Sequence, residues 1–258
     1  MPRFSANISM MFLEHDPLDR VQAVRDAGFE GVEIQFPYDI PATDWVTAKE
    51  RAGVEFAVIN LPAGDLAAGG PGLAAMPGRE TEFRDGVKRA KDYAALLRPR
   101  NVNVLAGWPP KNLGRDRCLG ILADNLAFAA AEMEEVGSRV TVEAINTRDR
   151  PASLVTTSSE SIAIIDRAGH PNLAIQHDLY HMQIMEGDLI PTLERVIGRV
   201  GHIQFADTPA RHEPGTGEIA FADVFAAIDR LGYDGWVGAE YDPSGRTEDS
   251  LGWLQPYL

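Results

Sequence analysis

Short β-rich runs alternate with amphipathic helical stretches along the whole chain of 258 residues. The same punctuation recurs five times. A helical face ends in a small or apolar residue plus Gly, and a run of branched and aromatic residues follows. It reads DAGFEGVEIQF over 26–36, RAGVEFAVINL over 51–61, EVGSRVTVEAI over 135–145, RAGHPNLAIQH over 167–177 and RLGYDGWVGAE over 230–240. Gly28, Gly53, Gly137, Gly169 and Gly232 stand where a helix ends in a left-handed residue, a conformation cheap only for glycine. Between these points apolar residues recur at helical spacing. Leu18, Val21 and Val24 form one face, and Leu122, Leu126, Ala129 and Met133 another. Leu189, Leu193, Val196 and Ile197 form a third, and Phe221, Phe225, Ile228 and Leu231 a fourth. Asp85, Ser158 and Asp188 are read as helix N-caps.

Eight strands are expected, at 3–9, 31–36, 54–60, 101–106, 139–145, 173–178, 201–206 and 235–240. Strands alternating with helices imply right-handed βαβ units and a parallel sheet. Eight such units in this length predict a single (β/α)8 barrel, an α/β TIM barrel spanning 1–258 as one domain. A doubly wound sheet is the alternative, but SANISMMFLEHD after the first strand lacks a Gly-rich phosphate turn. AAGGPG at 67–72 falls in the long loop after strand three and reads as a flexible or lid segment.

Strand parity then selects the residues that face inward. Alternate residues of a barrel strand point to the helices or to the interior, and the interior set near the C-terminal mouth carries chemistry. In VTVEAIN, Val140, Val142 and Ala144 point out and Glu143 points in. In LAIQHD, Leu173, Ile175 and His177 point out, and Ala174, Gln176 and Asp178 point in. In HIQFAD, Ile203 and Phe205 point out, leaving His202 and Gln204 inside. In GWVGAEY, Glu240 points in with Trp236 and Gly238. Four consecutive strands thus aim Glu143, Asp178, Gln204 and Glu240 at one mouth. Three carboxylates converging in a partly buried space either take up protons or require a cation. An oxygen-only set favours Mg²⁺ or Mn²⁺ over Zn²⁺.

The other polar residues divide between loop and interior. His181 lies on the loop three residues beyond Asp178 and is a candidate for contact with substrate. ADTPARHEPGTGEI, 206–219, offers Arg211 as a fork for a carboxylate, with His212 beside it. Gly215 and Gly217 shape that loop. His202 reads as a hydrogen-bonded interior residue below the site, and His177 as one turned toward a helix. His15 and His170 are loop residues. Asn7, Glu33 and Asn60 point inward on the early strands, within reach of a substrate, but internal hydrogen bonding is the favoured reading for them.

Composition narrows the function classes. The balance of 38 acidic against 24 basic side chains gives a formal charge of −14. That field repels phosphate backbones and disfavours nucleic acid as a partner. It also means that an anionic small substrate needs a local cation. Cys118 is the single cysteine, which leaves no intrachain disulfide or thiolate zinc cage and fits a reducing cytoplasm. Neither a secretory signal nor an apolar run long enough to span a membrane is visible. Assembly into a homo-oligomer stays open.

VEAIN, IQHDLYHMQIMEGD, GHIQFADTPARHEPGTGEI and GYDGWVGAEY, with NLPAGD upstream, strongly resemble the hydroxypyruvate isomerase family, which includes 2-oxo-tetronate isomerases. The likeness extends over nearly the whole chain. It implies a xylose-isomerase-like TIM barrel and a divalent metal held by Glu143, Asp178, Gln204 and Glu240, with Glu143 and Glu240 as paired acid and base. The implied reaction converts hydroxypyruvate to tartronate semialdehyde through an enediolate, with His181, Arg211 or His212 on the substrate. Isomerisation of a 2-oxo-tetronate, ketose epimerisation, an inosose-type dehydratase and a metal-binding barrel without turnover are the alternatives. The pattern departs at Trp108-Pro109-Pro110, where the family often has a basic residue nearby.

Overall fold

The computed structural model describes residues 1–258. Eight parallel strands close into a barrel in sequence order, the last pairing with the first. They are β1 (Arg3–Asn7), β2 (Gly31–Ile34), β3 (Glu55–Asn60), β4 (Asn101–Val104), β5 (Arg139–Glu143), β6 (Leu173–Asp178), β7 (Val200–Phe205) and β8 (Trp236–Ala239). The helices are α1 (Asp19–Asp26), α2 (Ala42–Ala52), α3 (Glu80–Leu97), α4 (Arg115–Glu134), α5 (Ser158–Ala168), α6 (Leu179–Met185), α7 (Leu189–Val196) and α8 (Phe221–Arg230). No helix is long and apolar enough to cross a membrane.

The expected strands overrun the ladder mainly at their C-terminal ends. Residues 8–9, 35–36, 105–106 and 144–145 have left the sheet and form the mouth. The five punctuating glycines all have positive φ. The expected caps fare less well. Asp85 lies inside α3, which begins at Glu80. The cap of α5 is Thr157, one residue before Ser158, and its side chain accepts from the Glu160 N–H. Asp188 is at the N-cap of α7 but makes no side-chain bond there. Beside the 67–72 segment, Asp65 Oδ1 accepts from Gly72 N at 3.2 Å and from Arg79 Nη1 at 2.8 Å.

Outward strand residues and inward helix faces make one apolar core. Phe4, Phe205, Phe225 and Trp253 meet edge to face or tilted beneath β1 and β7, with centroids 5.0–6.1 Å apart. The barrel interior is different: its middle layer is polar. Glu33, fully buried, accepts from Ser5 Oγ at 2.6 Å, His202 Nε2 at 2.8 Å and Gln204 Nε2 at 2.7 Å. Gly238 makes room for this carboxylate, since a Cβ there would collide with Glu33 Oε1. The register of β6 against β7 shifts between Ile175 and Gln176. Gly201 takes up the extra position, against the side chains of Ala174, Thr141 and Asn101.

Candidate active site

The four residues selected by parity stand at adjacent strand ends. Glu143 and Asp178 close β5 and β6, Gln204 is next to last in β7, and Glu240 follows β8 directly. Asp178 is in register with Gln204, and Gln204 with Gly238. All four are buried. A cavity of about 640 Å³ opens above them, walled by Phe36, Leu66, Leu105 and Trp108, with Glu143, Gln176, His181, Arg211 and Glu240 among its polar lining.

Each carboxylate is held differently. Glu143 Oε2 accepts from Asn103 Nδ2 at 3.1 Å. Glu240 Oε1 accepts from Asn7 Nδ2 at 2.9 Å and Gln35 Nε2 at 3.0 Å, and its Oε2 accepts from Arg211 Nη2 at 2.6 Å. Asp178 Oδ1 caps α6 through Tyr180 N at 2.8 Å, while its Oδ2 is buried without a hydrogen-bond partner. Gln204 lies one layer lower. Its Nε2 is committed to Glu33, and its Oε1 accepts from Gln176 Nε2 at 2.6 Å, so Gln176 rather than Gln204 lines the cavity.

The crowding shows in protonation. Burial pushes the Glu143 carboxyl well above the usual range, and Glu240 and Asp178 push it further. Burial raises Glu240 to about 7 against the opposing pull of Arg211, with Asp178 adding to the rise. Asp178 is also raised by burial, with Arg211 opposing. Burial works against the charge on Arg211, yet Glu240, Asp178 and Glu143 together hold its pKa above the ordinary value. Arg211 Nη2 is 3.8 Å from Asp178 Oδ2 as well.

His181 is buried at the same point, with Nε2 3.6 Å from Asp178 Oδ2 and 3.8 Å from Glu143 Oε1. One ligand atom from each of Glu143, Asp178 and His181 lies within 4.8 Å of the others. The protonation of the ring follows from its neighbour. Asn146 Oδ1 accepts from Asp149 N at 2.8 Å, which fixes the amide, so its NH₂ donates to Asp149 Oδ2 at 2.9 Å and to His181 Nδ1 at 2.7 Å. Nδ1 is therefore an acceptor and the proton sits on Nε2, facing the carboxylates. Burial, with Arg211 nearby, lowers this imidazole to about 3 and keeps it neutral. The orphaned Asp178 Oδ2 and the raised carboxylates fit a hard divalent cation through oxygen. His181 contributes an N–H donor, not a lone pair.

The loop after β7 is organised by Asp207, which parity did not single out. Its Oδ2 accepts from Gly215 N at 3.0 Å and Gly217 N at 2.9 Å, and its Oδ1 from Thr208 N at 2.9 Å and Ile219 N at 3.1 Å. Gly217 has no alternative, since a Cβ would run into Thr208 O. This clamp presents Arg211, at φ 61°, over the Tyr180 ring. His212 turns away: its ring bonds Asp242 O at 2.6 Å and it does not line the cavity. His202 lies below the site on Glu33. His177 faces α5, with its ring 3.3 Å from Ser158 Oγ. Asn146, Trp108 and Arg150 are cavity or supporting residues that strand parity could not reach, because all three sit beyond the expected strands; Gln35 shares the parity of Glu33 in the expected strand 31–36 but was not singled out.

The residues 21–257 match the family model described as xylose isomerase-like TIM barrel. A 2-oxo-tetronate isomerase of Cupriavidus necator is 45% identical, the alignment covering 100% of this chain and 99% of that protein. A hydroxypyruvate isomerase of Escherichia coli is 43% identical with full coverage of both. The crystal structure of a family 2 AP endonuclease from Brucella melitensis superposes with a TM-score of 0.96 at 41% identity, covering 100% of this chain and 99% of that one.

Proposed function

From the premise that the chain belongs to the xylose isomerase-like TIM-barrel family, we propose that it is an isomerase of small sugar acids. The substrates are hydroxypyruvate, whose carbonyl moves to the terminal carbon as an aldehyde, or a 2-oxo-tetronate, whose carbonyl moves to C3 as a ketone, in each case by passing a proton between neighbouring carbons. The observation that carries this reading is the pair of buried, protonation-prone glutamates, Glu143 and Glu240, facing one cavity from the ends of β5 and β8.

A divalent cation, Mg²⁺ or Mn²⁺, held by Glu143, Asp178 and Glu240, with the Gln204 carbonyl oxygen joining them if it exchanges its bond from Gln176 for the ion, would balance the carboxylates and supply Lewis acidity to neighbouring carbonyl and hydroxyl oxygens of the substrate. The protein's own groups do the rest. One of Glu143 and Glu240 removes the proton from the hydroxyl-bearing carbon as general base, the other returns one to the former carbonyl carbon, and the hydroxyl proton passes to the former carbonyl oxygen. The product is an isomer, so nothing is gained or lost overall. His181 donates its Nε2–H to a substrate oxygen as charge develops. Arg211 sets the orientation of Glu240 and completes the polar wall. Phe36, Leu66, Leu105 and Trp108 shield the reacting carbons from water. A DNA substrate suits the site poorly, because the −14 charge and an acidic cavity floor oppose a phosphate backbone.

The test is turnover of hydroxypyruvate and of 2-oxo-tetronates by Mn²⁺-loaded protein in D₂O, read by NMR. Isomerisation with deuterium entering the product carbon is expected. Glu143→Gln and Glu240→Gln should each fold and lose roughly 10²- to 10⁴-fold in kcat, the usual contribution of a positioned acid or base. Wild-type turnover in either variant removes that glutamate from proton transfer, and no turnover of any sugar acid overturns the assignment.

A further inference from the structure

Two arginines line the cavity, and their charges are in different circumstances. Arg211 is committed to Glu240 at 2.6 Å and lies 3.8 Å from Asp178, so the site's own carboxylates balance it. Arg150 has no carboxylate partner. Its one hydrogen bond runs from Nη1 to the Asp149 carbonyl at 3.1 Å, which leaves the remaining N–H donors of the guanidinium uncommitted. Its guanidinium carbon stands 5.4 Å from the centroid of the Trp108 ring, which also lines the cavity. Stacking on an indole face holds a guanidinium in place without using its edge, so the fork stays open.

The platform is held in register. Trp108 N donates to Pro71 O at 3.2 Å, and Gly107 O accepts from Leu154 N at 3.0 Å, tying the loop after β4 to the loop that carries Arg150. Gly107 sits at φ 77°, and a Cβ there would strike Pro71 O. Pro109 and Pro110 stiffen the chain beyond the ring. Below, the cavity floor is acidic. A substrate bearing its own carboxylate enters a field of like charge unless a cation meets it, and Arg150 is the cavity cation whose charge is not already balanced.

We propose that Arg150, braced on Trp108, is the anchor for the carboxylate of the substrate and selects sugar acids over neutral sugars. The inference rests on the isomerase reading and adds to it the residue that meets the anionic end of the sugar acid. The loop after β7 then serves the reacting end of the molecule through Arg211, and the loops after β4 and β5 serve its carboxylate end.

The test compares wild type with Arg150→Met and Arg150→Lys in the Mn²⁺-loaded enzyme. Arg150 is exposed, so both variants should fold, checked by melting temperature and Mn²⁺ affinity. Binding of tartronate, a non-reacting hydroxy diacid, is measured by calorimetry alongside the kinetics of hydroxypyruvate. Losing a charge-assisted fork should raise the tartronate Kd and the KM for hydroxypyruvate about ten- to a hundredfold in Arg150→Met, with kcat moving far less. Arg150→Lys should recover part of the loss, because it restores the charge but not the fork. A change below threefold in both quantities in Arg150→Met, with the wild type active, overturns this inference alone. A wild-type protein that neither turns over a sugar acid nor binds tartronate overturns the isomerase reading and this inference with it.

Discussion

His181 illustrates how much chemistry a single side chain takes from its neighbour. Its Nδ1 accepts from Asn146, and Asn146 is fixed by the backbone and carboxylate of Asp149. Asp149 is in turn bonded by Tyr180 at 2.9 Å, and burial opposed by these donors leaves its pKa low. The ¹⁵N spectrum of wild-type protein should therefore show His181 with a bare Nδ1 and a protonated Nε2. With its pKa depressed to about 3, it should stay neutral from pH 5 to 9. Asn146→Leu should mix the two tautomers and lower kcat about tenfold, the worth of one misdirected hydrogen bond of ~1.4 kcal/mol. A wild-type spectrum with the proton on Nδ1 would refute the arrangement. At this scale the sequence was readable where chemistry rides on a strand. The placement of Glu143, Asp178 and Glu240 together at the strand ends followed from alternation alone. Asn146, Asp149 and Asp207 did not, because loop residues have no period to constrain them.

At the scale of elements, strand number, order and closure were all legible, since the apolar alternation and terminal glycines are physical requirements of βα units. What parity could not see was the irregularity between β6 and β7. The count through VGHIQF works from His202 onward, but Gly201 is an extra inward position created by the register shift. The side chain is missing there for a measurable reason. A Cβ would come within 2.9 Å of Ala174 Cβ and Thr141 Cγ2 and 3.0 Å of Asn101 Oδ1. Gly201→Ala should thus overpack the barrel floor and cost about 1–3 kcal/mol, lowering the melting temperature by about 2–4 °C per kcal/mol. An unchanged melt would mean that the floor relaxes freely. In the segment expected as a flexible or lid element at 67–72, Ala67 lines the cavity and Gly72 is held by Asp65, which also bonds Arg79, a contact between positions 14 residues apart that composition does not reveal.

For the whole molecule, the clustered acids link stability to pH. Glu240 is raised to about 7 in the folded state, and Glu143 and Asp178 are raised too. A carboxyl whose folded pKa exceeds its unfolded value stabilises the fold fully below the unfolded pKa, near 4.5, and loses that contribution as pH rises through the folded value. Metal-stripped protein should therefore melt at a lower temperature at pH 8 than at pH 5.5. Added Mn²⁺ should raise the melting temperature more at pH 8, because ion binding must displace the protons that these groups hold at lower pH. Equal Mn²⁺ shifts at both pH values would argue against carboxylate ligation. The overall charge of −14 adds self-repulsion that grows in the same direction for the stripped protein.

Glu240 is steadied by Asn7, 233 positions earlier in the chain, across the seam where the last strand meets the first. Synthesis therefore delivers a working centre all at once. A nascent chain lacking its final stave already owns most of the acidic ring but lacks Glu240, the second proton carrier of the proposed reaction, and has nothing to complete the circle. Activity should arrive only once the segment carrying Glu240 has been made, with no graded fraction of it before.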